Sequence, residues 1–240
     1  MRLDLFLFEN GLASSRTEAK GYILAGAVNI NGKTVKKPSY DVALEDAISV
    51  DTSAKRFVSR GGEKLQAALD AFHIDVIGKK CLDVGASSGG FTDCLLKYGA
   101  AHVVAVDSGS SQLVSSLRAD TRVTSIEEYN ARYLKVSDLP YVPELVVMDV
   151  SFISATLILP ALYDCLSSPS DFILLIKPQF EVGRSGIGKG GIVRDEKARK
   201  AAIDRVVDSA VALGFVFKDC IQSPIKGGDG NIEFLAHFTK

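Results

Sequence analysis

Cys81-Leu82-Asp83-Val84-Gly85-Ala86-Ser87-Ser88-Gly89-Gly90-Phe91-Thr92 decides the fold. Four residues of strand character run into a loop of small side chains, and Phe91-Thr92 then opens a helical pattern. Only small side chains let a ligand approach the backbone of such a loop, and turns this tight use the φ freedom of glycine. The spelling excludes two common phosphate loops. Phe91 stands where G-x-x-x-x-G-K-[ST] needs lysine, and Ser87 replaces the second glycine of G-x-G-x-x-G.

Outward from this string, apolar strand candidates alternate with helical stretches. The strands are Cys81–Val84, Val103–Val106, Arg122–Thr124, Leu145–Asp149, Phe172–Ile176, Phe215–Asp219 and Ile232–His237. Helical patterns cover Glu63–Phe72, Phe91–Tyr98, Gln112–Leu117, Ala155–Cys165 and Asp195–Leu213. Such alternation predicts an α/β fold, a mostly parallel, doubly wound sheet of seven strands. After Leu213 two strands follow without a helix between them, so one antiparallel strand is expected to enter the sheet at the end.

In an open sheet of this kind the carboxyl ends of the strands line the ligand crevice. Asp83, Asp149 and Asp107, the last twenty-four positions after Asp83, each close a strand and are expected on one edge. Asp107 is placed to bind ribose hydroxyls. Lys177 directly continues the apolar run Phe172–Ile176, and Glu233 interrupts Ile232–Leu235. Charges inside apolar strand patterns are poorly explained as solvated surface groups. Lys64 opens the helix ahead of the sheet.

The first fifty residues read as a separate small α+β unit. A short helix from Leu3 stops at Asn10-Gly11, Ser14-Ser15 caps a second over Arg16–Leu24, and Gly26 closes it. Val28-Asn29-Ile30, the turn Asn31-Gly32 and Thr34-Val35 form a hairpin, with Ile48-Ser49-Val50 as a last strand. The change of pattern across the polar stretch Asp51–Arg56 sets two domains, 1–52 and 59–240. Net charge is only −1, yet residues 14–40 hold Arg16, Lys20, Lys33, Lys36 and Lys37 against Glu18 alone. Phosphate backbones respond to such local excess.

Composition excludes other classes. No apolar stretch approaches a membrane span, and Met1–Asn10 lacks the apolar run of a secretory signal. Cys81, Cys94, Cys165 and Cys220 are scattered, without a CxxC pair or metal-ligand spacing. A reduced, cytoplasmic protein with no metal is the expectation, and sequence leaves the oligomeric state open.

The acidic strand end followed by G-x-x-x-G-G resembles the first motif of S-adenosyl-L-methionine-dependent methyltransferases. Lys64, Asp149, Lys177 and Glu233, in that order, resemble the Lys-Asp-Lys-Glu tetrad of FtsJ/RrmJ-type ribose 2′-O-methyltransferases. Five further strings are similar to the TlyA family of rRNA methyltransferases, whose members are often labelled hemolysins. They are Gly11–Arg16, Val58–Leu65, Asp149–Ser154, Lys177–Arg184 and Lys189–Asp195. Residues 1–50 resemble the RNA-binding domain first named from ribosomal protein S-four.

The resemblance implies S-adenosyl-L-methionine as cofactor, held by Asp83, Gly85, Ser87, Gly89, Gly90, Phe91, Asp107, Asn130 and Asp149. It implies Lys64, Asp149, Lys177 and Glu233 as the catalytic set, with Lys177 as general base. An ordinary lysine titrates near ~10.4, so an electrostatic role for Lys177 on a developing alkoxide stays open beside it. Ribosomal RNA or ribosomal subunits are the implied partner, met by Arg16, Lys20, Lys33, Lys36, Lys37 and Arg60. Gly183–Gly191, with five glycines in nine residues, suits a mobile loop over that substrate. The rival readings are a membrane-active hemolysin, testable by liposome leakage, and an RNA-binding protein without transfer activity.

Overall fold

The computed structural model describes residues 1–13, 16–43, 45–51, 57–183 and 186–240, apart from the side chains of Thr17, Glu18 and Ala25. The expected Ser14-Ser15 cap, most of the polar connector and Arg184 lie outside the described residues. The chain divides into two compact units, Met1–Arg60 and Gly61–Lys240.

In the first unit, Leu3 and Leu7 lie one helical turn apart in α1 (Leu3–Glu9). They pack with Ala19 and Ile23 of α2 (Arg16–Ala25) and with Val28 and Ile30. Val28 and Ile30 are the inward residues of β1 (Val28–Ile30), which pairs antiparallel with β2 (Lys33–Thr34) and β3 (Ile48–Val50). Asn31 and Gly32 both take positive φ, 51° and 77°, the backbone a two-residue hairpin requires. Asp4 is buried beside this core. Its carboxylate accepts from Arg2 Nε at 2.9 Å and from Arg16 Nη2 at 3.0 Å. Those guanidiniums, Arg2 first, hold its pKa near about 2.

The second unit opens with α3 (Gly61–Phe72), and a sheet of seven strands follows. Its strands are β4 (Lys80–Val84), β5 (His102–Val106), β6 (Val123–Ile126), β7 (Leu145–Met148), β8 (Asp171–Ile176), β9 (Val216–Gln222) and β10 (Phe234–Thr239). Their spatial order is β6-β5-β4-β7-β8-β10-β9. The five strands from β6 to β8 are parallel, and β10 runs antiparallel to both β8 and β9. The helices between them are α4 (Gly90–Lys97), α5 (Ser115–Arg118), α6 (Leu159–Cys165), α7 (Pro178–Glu181) and α8 (Glu196–Leu213). One face of the sheet buries Val104, Val146, Leu174 and Phe238 against Leu159, Leu162, Val206 and Ala210. The order reverses at β4: the chain first adds β5 and β6 on one side, then crosses to β7 and β8 on the other.

Every expected strand is present, with several ends shifted by one to three residues, and the following differences bear on the site. The helix expected from Gln112 begins only at Ser115, because the Glu127 carboxylate accepts the N–H groups of Ser111, Gln112 and Leu113. The helix expected over Ala155–Cys165 splits into a tight turn, Ala155–Leu157, and α6, because Pro160 has no N–H to continue the ladder. Glu233 lies just ahead of β10 rather than inside a strand. Lys177 does not extend β8 but precedes α7, a helical turn that Pro178 starts and the sequence reading did not contain.

Candidate active site

A cleft of about 510 Å³ opens at the carboxyl ends of β4, β5 and β7, where the strand order reverses. Gly85 forms its floor with φ +84°. A Cβ there would stand 2.3 Å from the Asp149 carbonyl oxygen, so no other residue fits. Ser87 takes a left-handed φ of 49° and donates its N–H to Asp107 Oδ2 at 2.7 Å. Gly109 N–H donates to Asp107 Oδ1 at 2.7 Å. Asp107 thus ties the β4 loop to the β5 loop with both oxygens, each of which keeps a lone pair for a ligand.

Of the residues expected at the cofactor, Gly85, Ser87, Asp107, Asn130 and Asp149 line this cleft. Asp83 lies beneath it, fully buried. Thr92 Oγ1 donates to its Oδ2 at 2.7 Å, while its Oδ1 has no hydrogen-bond partner among the described residues. Burial, and after it the charges of Asp149 and Asp107, pushes the Asp83 pKa up to about 7. Gly89, Gly90 and Phe91 do not line the cleft. Gly89, at φ +95°, accommodates Leu117 and Leu113, whose methyls a Cβ would meet at 2.3 and 2.7 Å; Gly90 and Phe91 start α4, both buried. Ser108 and Tyr129 also line the cleft, together with Ser151 and Phe152 of the string Asp149–Ser154.

Asp149, Lys177 and Glu233 follow or precede the adjoining ends of β7, β8 and β10. Lys177 Nζ lies 2.5 Å from Asp149 Oδ1, an ion pair whose angle is not that of a hydrogen bond. It also donates to Ser151 Oγ at 2.7 Å. Lys64, in the first turn of α3, donates to Glu233 Oε2 at 2.5 Å. Both partners of that second pair are buried, at 8% and 2% exposure. Gly227 makes room for the carboxylate, since a Cβ there would come 2.4 Å from Glu233 Oε1. Two buried or half-buried ion pairs on neighbouring strand ends are costly to keep for stability alone.

Phe152 is the exposed aromatic of this edge. It is 92% exposed, holds φ +64°, and its ring centroid lies 5.3 Å from that of Phe180. Phe152 falls within the string Asp149–Ser154, but its exposure was not legible there, since left-handed backbone at a non-glycine position leaves no trace in composition.

Among the basic residues expected to meet RNA, Lys20, Lys33, Lys36, Lys37 and Arg60 are exposed. The Lys36 stem passes over Gly26, where a Cβ would meet its Cε at 2.8 Å. Arg16 is half-exposed and already engaged by Asp4, so part of its charge serves the fold. Among the described residues no three His, Cys, Asp or Glu side chains are grouped to hold a metal ion. No helix among them is long and apolar enough to cross a membrane.

Residues 57–240 match the family described as FtsJ-like methyltransferase, and residues 1–48 match the S4 domain. The chain is 46% identical to Hemolysin A of Brachyspira hyodysenteriae, over 99% of each chain. It is also 46% identical to the 16S/23S rRNA (cytidine-2'-O)-methyltransferase TlyA of Mycobacterium tuberculosis, over 98% of this chain and 88% of that one. A solved structure from Streptococcus thermophilus, labelled a hemolysin, superposes with TM-score 0.80 at 44% identity, covering 100% of this chain and 88% of the other.

Proposed function

The chain belongs to the TlyA family of FtsJ-like methyltransferases, and we propose that it transfers a methyl group from S-adenosyl-L-methionine to a ribose 2′-hydroxyl of ribosomal RNA. The observation that carries this reading is the Lys177–Asp149 pair at 2.5 Å on the rim of a cleft that also holds Asp107. A cleft of this size suits a nucleoside ligand. Its chemistry fits the cofactor. Asp83, Asp107 and Asp149 converge on one sheet edge, Asp83 with an unpaired buried oxygen, and such a set favours a ligand with positive charge and ribose hydroxyls. Gly85, Ser87, Asp107, Asn130 and Asp149 would hold it, with Val106, Ile158 and Ala131 as apolar wall.

When bound, S-adenosyl-L-methionine supplies an already activated methyl group. What remains for the protein is to place a ribose hydroxyl and remove its proton. Lys177 takes that proton when its Nζ is neutral, its own proton having gone to solvent beforehand; as the ammonium paired with Asp149 it instead stabilises the developing alkoxide while the proton leaves to water. Asp149 and Ser151 hold its Nζ from two sides, so the nitrogen is fixed before substrate arrives. The Lys64–Glu233 pair sets the field on the β10 side and keeps each charge compensated where water is excluded. Phe152 presents a bare ring at the mouth, the kind of surface on which an unstacked nucleobase rests. Residues 1–52 supply affinity for rRNA through Lys20, Lys33, Lys36 and Lys37, and residues 59–240 supply the chemistry, in the cytoplasm where ribosomes are found.

Transfer of labelled methyl to rRNA by variants of the full chain tests the reading. Lys177→Ala is expected to abolish transfer while cofactor affinity stays within about tenfold, since the lysine lies outside the cofactor-facing set. Lys177→Arg is expected to be inactive as well, because a guanidinium does not give up its proton. An active Lys177→Arg enzyme would exclude proton removal by this residue and leave an electrostatic role. Transfer by Lys177→Ala would sink the whole assignment. Mapping 2′-O-methyl groups in rRNA from cells with and without the gene identifies the nucleotide.

A further inference from the structure

The strings Asp149–Ser154 and Lys177–Glu181 touch at three successive points. Lys177 reaches Asp149 and Ser151, the ring of Phe180 lies against that of Phe152, and Glu181 closes the far end. Glu181 Oε2 accepts from Ser154 Oγ at 2.6 Å and Oε1 from Ala155 N–H at 2.8 Å. The residue is only 4% exposed. Burying a carboxylate this far is unfavourable unless its oxygens are used, and both are used on a single short segment. Part of the compensation is local: Oε1 takes one of the N–H groups left over where the 155–157 turn begins.

Phe152 lies between the two ends of that segment. Upstream, Asp149 N–H is bonded to Val84 O at 2.9 Å, which fastens the loop to the sheet. Downstream, the fastening is Glu181. A non-glycine residue at φ +64° is strained and persists only where its surroundings fix both flanks. We propose that Glu181 is a positioning residue for the target nucleotide: its carboxylate pins the loop so that Phe152 holds its ring out over the cleft mouth. The contact with Phe180 then sets the tilt of the ring, 53° between planes. Nothing in proton removal at Lys177 uses Glu181, so its contribution is to RNA placement. This inference rests on the methyl-transfer reading above.

Steady-state kinetics on an rRNA fragment, with calorimetry for the cofactor, tests it in the full chain. Glu181→Ala is expected to raise KM for RNA about tenfold, with cofactor Kd within about twofold. Glu181→Gln is expected to restore RNA affinity, since an amide can accept from Ala155 N–H and donate to Ser154 Oγ. Ser154→Ala, which removes one of the two bonds and leaves the buried carboxylate in place, is expected to fall between them. In a Phe152→Ala background, Glu181→Ala is expected to add nothing further, the mark of two residues acting as one. The proposal is overturned by an unchanged KM in both Glu181→Ala and Ser154→Ala. It is equally overturned if the Glu181 and Phe152 effects are additive, or if cofactor affinity falls in step with RNA affinity. Failure of the methyl-transfer reading shows elsewhere, as transfer surviving Lys177→Ala.

Discussion

At the scale of single residues, the fully buried Asp83 carboxyl is a group whose ionisation works against the fold. Its pKa is raised to about 7 by burial first, whereas an unfolded aspartate titrates near ~3.9. The folded chain therefore binds this proton more tightly than the unfolded chain does. The stabilising contribution is fully present below the unfolded value, is lost as pH climbs toward about 7, and does not change further above that. Asp83→Asn keeps an acceptor for Thr92 and carries no charge to desolvate. Its thermal midpoint, compared with the parent at pH 4, 6 and 8, is expected to show a gain that grows to pH 7 and then levels, worth a few kcal/mol. A gain independent of pH would mean that the carboxyl is neutral, or solvated, throughout.

At the scale of elements, the loop after β5 depends on a residue from the next strand's end. Glu127 takes three backbone N–H groups and the Arg118 guanidinium, and these hold its pKa near about 2, Arg118 foremost. The segment it gathers carries Leu113, which with Leu117 lies on Gly89 of the β4 loop. Glu127→Ala is expected to weaken cofactor binding several-fold in calorimetry while leaving RNA affinity unchanged. Intact cofactor affinity would show that the loop holds its shape without the carboxylate. This is also where the sequence reading reaches its limit. Strands such as Val103–Val106 and Phe172–Ile176 were legible because two-sided burial leaves unbroken apolar runs. Lys177 and Glu233 stood out as charges against apolar strand patterns, whereas Lys64, at a helix start, was picked out only by resemblance to the Lys-Asp-Lys-Glu tetrad. The late start of α5 was not legible, because the competitor for its N–H groups, Glu127, is ten or more residues away. Nor were the contacts of Glu181 and Phe180, in α7, with the segment from Phe152 to Ala155, which no pattern within either stretch announces.

At the scale of the whole molecule, charge is divided between tasks. Asp4 claims Arg2 and Arg16 for the first unit's own packing, while Lys20, Lys33 and Lys37 stay exposed. Reversing those three lysines together is expected to weaken rRNA binding and flatten its dependence on salt, as each lost phosphate contact removes counterion release. Cofactor affinity is expected to be unaffected. An unaltered salt slope in filter-binding would assign these lysines to solvent alone. The position of β10 has a further consequence, for the order in which the molecule comes into being. It is the last strand of the sheet in sequence, yet it lies inside the sheet between β8 and β9. A nascent chain can assemble the parallel strands β4 to β8 as they leave the ribosome, but β9 has no neighbour to pair with until Phe234–Thr239 emerges. Until then Lys64 also lacks Glu233. One short segment thus both closes the gap between β8 and β9 and gives Lys64 its partner, and a chain stalled ahead of residue 233 has neither.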